Sequence, residues 1–129
     1  MWDSHFRVGG AFGSDLDLAS CPKPGYSEKC IAASLLLHLT TDSSGYFENI
    51  GLWTADHDND AQIKDHKTSD AQINIYSGRG VLIESQGPAW FIGTAVEHST
   101  LYQYQLFGAH NVCIDLSLLT IVSPTKSIY

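Results

Sequence analysis

Apolar residues fall along the chain in short blocks rather than at helical spacing, and turn-forming residues separate the blocks. Residues 34–41 (SLLLHLTT), 46–54 (YFENIGLWT), 72–77 (QINIYS), 80–85 (GVLIES), 89–95 (AWFIGTA) and 101–107 (LYQYQLF) each read as a strand. Between them DSSG, SGRG, SQGP and GAHN read as turns. Only residues 28–34 offer a helix start, and that segment is short. Several blocks are apolar at consecutive positions, which suits strands stacked in parallel better than a sheet with one wet face.

A recurring segment supports the stacking. Asn49-Ile-Gly-Leu-Trp, Gly80-Val-Leu-Ile-Glu and Asn111-Val-Cys-Ile-Asp each place a turn residue before a short β run, at equal separations along the chain. Such repetition predicts an all-β solenoid, in which one coil of short strands lies on the next. Residues 56–70 (DHDNDAQIKDHKTSD) break the rhythm as a polar insertion, the kind of loop that builds a binding site on a solenoid face.

Composition narrows the partners. Hydrophobic residues at 43% and charged residues at 16% describe a foldable chain of 129 residues, long enough for one domain with its own core. The net charge of -7 and the scattered Lys and Arg argue against nucleic acid and fit a neutral ligand such as a sugar. No apolar run is long enough to cross a bilayer, so no membrane partner is expected, and MWDSHFRVGG lacks the pattern of a secretory signal peptide. Cys21 and Cys30 bracket a loop short enough to close as a disulfide ring, and two unpaired thiols fit the spacing equally well. Cys113 is left over, and no CxxC pair suggests zinc.

Two stretches carry candidate chemistry. Asp56, Asp58 and Asp60 begin like an EF-hand loop, but Ala61 stands where glycine is needed and Lys67 where a bidentate glutamate is needed, so no calcium is expected; solvated loop residues are favoured, with a different metal site at His57 and His66 as the alternative. Glu97 follows an apolar strand and precedes His98 and a Tyr-Gln-Tyr-Gln stripe. On a strand Tyr102 and Tyr104 share one face, so Glu97 could lie in a cleft with aromatic walls, as glycoside chemistry requires. From the residues alone the blander reading, a surface glutamate beside packed tyrosines, carries more weight, because a lone glutamate is rarely catalytic.

MWDSHFRVGG, YFENIGLWTADHD, INIYSGRGVLIES and GPAWFIGTAVEHSTLYQYQL resemble, in order, the exo-β-1,3-glucanases of glycoside hydrolase family 55 in the pectate-lyase-like superfamily. The resemblance implies a right-handed parallel β-helix, here part of the second of two solenoids, and a secreted enzyme that releases glucose from β-1,3-glucan with inversion. It implies no cofactor. It marks Glu97 of the VEH motif as an active-site carboxylate, Trp53 as a stacking wall, Asp56 as an acceptor for sugar hydroxyls and His57 as a further substrate-binding residue.

The family's general acid lies on the coil after VEH, in a motif resembling Q-T-E-T-P-Y. After Val112 this chain reads CIDLSLLTIVSPTKSIY, with Asp115 its only carboxylate side chain. A partial β-helix over residues 1–112, a divergent tail over 113–129 and an inactive isolated chain are therefore expected. A non-catalytic carbohydrate-binding or purely structural solenoid fragment is the alternative.

Overall fold

The computed structural model describes residues 1–60 and 71–115. Among them the strands are β1 (His5–Val8), β2 (Ile31–Leu39), β3 (Gly45–Glu48), β4 (Gly51–Thr54), β5 (Tyr76–Ile83), β6 (Ala89–Ile92), β7 (Ala95–Glu97), β8 (Ser99–Leu106) and β9 (Val112–Asp115). They pair in parallel as three sheets, β1-β4-β7, β2-β5-β8 and β3-β6-β9, here called the first, second and third. The chain visits the sheets in rotation, so each turn of backbone lies on the one before. The all-β, parallel-stacked expectation holds, and none of these sheets closes into a barrel.

Stacking puts like positions over one another and makes the core a set of apolar columns. Leu37 pairs with Val81 and Val81 with Tyr104; Phe47 pairs with Phe91 and Phe91 with Ile114; Leu52 pairs with Val96. Val81, Ile83 and Phe91 are almost wholly buried, and each such side chain stabilises the fold by about 1.5–3 kcal/mol. Phe47 and Phe91 stack with ring centroids 4.7 Å apart. Tyr104 meets Phe91 edge-on and shares a 2.8 Å hydrogen bond with the Thr94 hydroxyl, while burial pushes its phenol above the ordinary value. That tyrosine is core, whereas Tyr102 lies beneath the Arg79 guanidinium, so the two do not form one open aromatic wall.

Backbone corners explain where strand boundaries differ from expectation. Residues 46–54 and 89–95 are each two strands, because Asn49 (φ 51°) and Gly93 (φ 60°) turn the chain from the third sheet into the first. Asp3 (φ 51°) occupies the same corner one turn earlier, and Asn49 Nδ2 donates to its carboxylate at 2.7 Å. Conversely, SGRG is no turn but the middle of β5. Its glycines serve close approach: a Cβ on Gly78 would lie 2.9 Å from the Ser34 carbonyl oxygen, and one on Gly80 would collide with Val96 Cγ1 and the Gln103 carbonyl. The helix start at 28–34 yields one 3-10 turn, Glu28–Cys30, because the ladder to Tyr76 and Ser77 draws Ile31 and Ala33 into β2. The equally spaced segments at Asn49, Gly80 and Asn111 fall in three different sheets, so their spacing is not the structural repeat.

Two long excursions separate the first sheet from the second, over residues 9–30 and 55–75; on the third turn His98 alone makes the passage. The excursions share a small core of Cys21, Cys30, Ala55, Ile73 and Ile75, within which Cys21 and Cys30 form a disulfide. Asp58, expected to be solvated, is buried: its carboxylate accepts from the Leu18 and Asp60 backbone N–H groups and ties the second excursion to the first. Ala61 and Lys67, with the rest of residues 61–70 and most of the tail, lie outside the described residues.

Candidate functional site

Alternation along the first sheet decides which side chains reach solvent. Leu52 and Val96 point into the core, so Trp53 and Glu97, one residue on, point out. Arg7 pairs with Trp53 and Trp53 with Glu97, which lines a guanidinium, an indole and a carboxylate across three successive strands. The neighbouring rung is His5, Gly51 and Ala95. Two small residues there leave a groove of about 250 Å³, lined by His5, Arg7, Trp53 and Glu97 and the backbone between them. It is smaller than the roughly 300–1,000 Å³ of typical small-molecule sites.

Trp53 is the hub. The Arg7 guanidinium lies 4.9 Å from the ring centroid, and Arg7 Nη2 donates to the His57 carbonyl at 2.7 Å. The His57 ring sits 5.2 Å from the indole. Trp53 Nε1, a donor only, donates to His98 Nδ1 at 2.9 Å. Asp56 lies between the two imidazoles, with Oδ1 2.7 Å from His57 Nδ1 and Oδ2 3.8 Å from His98 Nε2.

Charge follows this geometry. Burial, the largest influence on Asp56, raises its carboxyl; the His57 hydrogen bond and the positive charge of His98 and His57 when protonated outweigh it, leaving the group below its ordinary 3.8. Asp56 is therefore an ionised acceptor at neutral pH, and His57 carries its proton on Nδ1. Glu97 is half-buried at the end of β7. Of the four expected residues, Trp53 and Glu97 line the groove, whereas Asp56 and His57 lie in the loop after β4, His57 with its ring against the indole and Asp56 between His57 and His98. Arg7 and His98 join them unanticipated: His98 was visible within VEH, but nothing in the sequence placed Arg7 over an indole. Trp90 is elsewhere, on the third sheet, beside Tyr46. Among the described residues no three His, Cys, Asp or Glu side chains are grouped to hold a metal ion.

No family model matches the chain. It is 57% identical over 118 residues, 90% of its length, to the non-secreted LysM effector LysM15 of Penicillium expansum, and spans 8% of that protein. It is 49% identical over 121 residues, 90% of its length, to a probable glucan endo-1,3-beta-glucosidase of Arthroderma benhamiae, spanning 13% of it. The chain is thus similar to a short part of a LysM effector and to a short part of a protein named as a glucan glucosidase. A glucan 1,3-beta-glucosidase of Cochliobolus carbonum is 40% identical over 119 residues, 87% of the chain and 14% of that protein. The chain accordingly spans only a small part of these curated relatives.

Proposed function

We propose that this chain is part of a right-handed parallel β-helix of an exo-β-1,3-glucanase of glycoside hydrolase family 55, and that the outer face of its first sheet contributes half of a substrate site. The observation that carries the reading is that Trp53 and Glu97, paired across adjacent strands, line one groove, with His57 against the indole and Asp56 held between His57 and His98. Glu97 is the active-site carboxylate, assisting an acid supplied from outside the described residues; Asp56 accepts from sugar hydroxyls, and His57 orients it. Arg7 and His57 both lie against the Trp53 ring, and the part of the half-buried indole that lines the groove is what a sugar would meet. The parent protein works in an oxidising, extracellular setting, a placement supported by the buried disulfide.

The isolated chain binds β-1,3-glucan but does not hydrolyse it, since a missing general acid costs roughly 100- to 10,000-fold. Titrating laminarin against tryptophan fluorescence should give saturable binding that Trp53→Ala weakens at least about tenfold, with no release of glucose. Absence of binding would overturn the substrate assignment. Glucose release abolished by Glu97→Gln would overturn the inactivity.

A second reading, glycan binding without catalysis, is favoured by one separate observation. Tyr46 and Trp90 are paired neighbours on the third sheet, 44% and 43% exposed. Under that reading Trp90→Ala, not Trp53→Ala, removes the fluorescence response.

A further inference from the structure

We infer that His98 is a positioning residue of this site, holding the Trp53 indole and Asp56 in place against Glu97. The inference rests on the glucan reading for its functional consequence, but its geometry does not. Trp53 belongs to β4, Asp56 to the excursion that follows, and Glu97 to β7 on the next turn of the stack. His98 links all three: it adjoins Glu97 in sequence, its Nδ1 accepts from Trp53 Nε1 at 2.9 Å, and its Nε2 lies 3.8 Å from Asp56 Oδ2.

The indole N–H cannot accept, so His98 Nδ1 carries no proton while this bond exists, and the Nε2 proton points toward the Asp56 carboxylate. One ring thereby sets the rotation of the indole and adds a favourable electrostatic contact to the acid. Its backbone is special too. His98 has φ 61° and makes, as a single residue, the corner between the first and second sheets that the earlier turns make with long excursions. Gln103 fixes that corner from β8, its Oε1 accepting from the Ser99 N–H and its Nε2 donating to the Ser99 carbonyl, both at 3.1 Å. A corner this short and doubly held leaves the imidazole little freedom, which is what a support for another side chain needs.

Two roles must be separated, the left-handed backbone and the Nδ1 acceptor. Asparagine tolerates that backbone and offers an oxygen near the Nδ1 position; glycine tolerates the backbone and offers nothing. His98→Asn and His98→Gly are therefore compared in the whole chain, with thermal melting to confirm folding. The first measurement is the indole N–H resonances of Trp2, Trp53 and Trp90, assigned by substitution, in the free protein. The Trp53 signal is expected at the hydrogen-bonded, slowly exchanging end, kept in His98→Asn and moved to the position of an exposed indole in His98→Gly.

The second measurement is laminarin affinity, expected to fall about tenfold or more in His98→Gly, the scale on which outer supporting residues act, and to stay near wild type in His98→Asn. An unmoved Trp53 signal in His98→Gly, or equal losses of affinity in both variants, would refute the positioning role. If the indole signals behave as expected and not even the wild-type chain binds laminarin, the glucan reading fails and the positioning role stands.

Discussion

Three neighbours of Trp53 use three properties of the indole: Arg7 its π face, His98 its N–H and Glu97 its place in the strand register. Two aspartates, Asp56 beside this cluster and Asp17 in the first excursion, have carboxyls lowered by local partners. Asp56 sits below its ordinary value for the reasons above, and Asp17 is lowered first by the Ser20 backbone N–H, then by further Ser20, Gly13 and Ala19 contacts that outweigh a small burial effect. A carboxyl that titrates lower in the folded chain than in the unfolded one stabilises the fold above the unfolded value, and the contribution is lost as pH falls through the folded value. Melting temperature is thus expected to drop below about pH 4, and the drop should be shallower in Asp56→Asn. A profile unchanged by that substitution would remove Asp56 from the explanation. The cysteines give a second residue-level expectation. Of the three, Cys21 and Cys30 are bonded and buried while Cys113 is free and exposed, so a maleimide probe should label only Cys113 before reduction and all three after reduction and unfolding.

Among the elements, β5 explains most about how the stack is made. It crosses SGRG without turning because Gly80 faces inward where the β7 and β8 turn passes closest. Gly80→Ala should destabilise the chain by about 1–3 kcal/mol, since the added methyl meets Val96 and the Gln103 backbone, neither of which is the free end of a flexible side chain. Chemical denaturation would show it as a lower midpoint with an unchanged slope. The same strand shows what was legible beforehand. Val81 and Ile83 announced a buried strand by composition, but Gly78 and Gly80 carry the same letters whether they turn a chain or admit a neighbour, and only the neighbour decides. The corners at Asn49 and Gly93 were hidden for the converse reason: one left-handed residue bends the chain without interrupting the apolar run around it. Trp53, Asp56, His57 and Glu97 could be named because their motifs resemble a known family. The position of Arg7 depends on register between β1 and β4, which no local pattern encodes.

At the scale of the whole molecule, among the described residues the columns that bury the core end in exposed side chains at both ends of the stack. Leu39, Ile83 and Leu106 occupy one column; the first two are 4% and 0% exposed, whereas Leu106, with no described turn above it, is 50% exposed. Phe6 heads the column of Leu52 and Val96 and is 44% exposed against their 3% and 4%. Among the described residues, the outer edges of β1 and β8 pair with nothing, leaving backbone donors and acceptors ready for another strand. The two ends differ, so pairing of one end with the other is head to tail and adds copies in series unless its rotation closes a ring. The isolated chain should therefore form species larger than a monomer, growing with concentration in sedimentation velocity. Leu106→Lys places a charge on one end without touching the first-sheet site, and should shift the distribution toward monomer while leaving laminarin binding unchanged. Association unaffected by that charge would place the contact elsewhere on the surface; loss of binding with it would mean that the site itself depends on neighbouring turns.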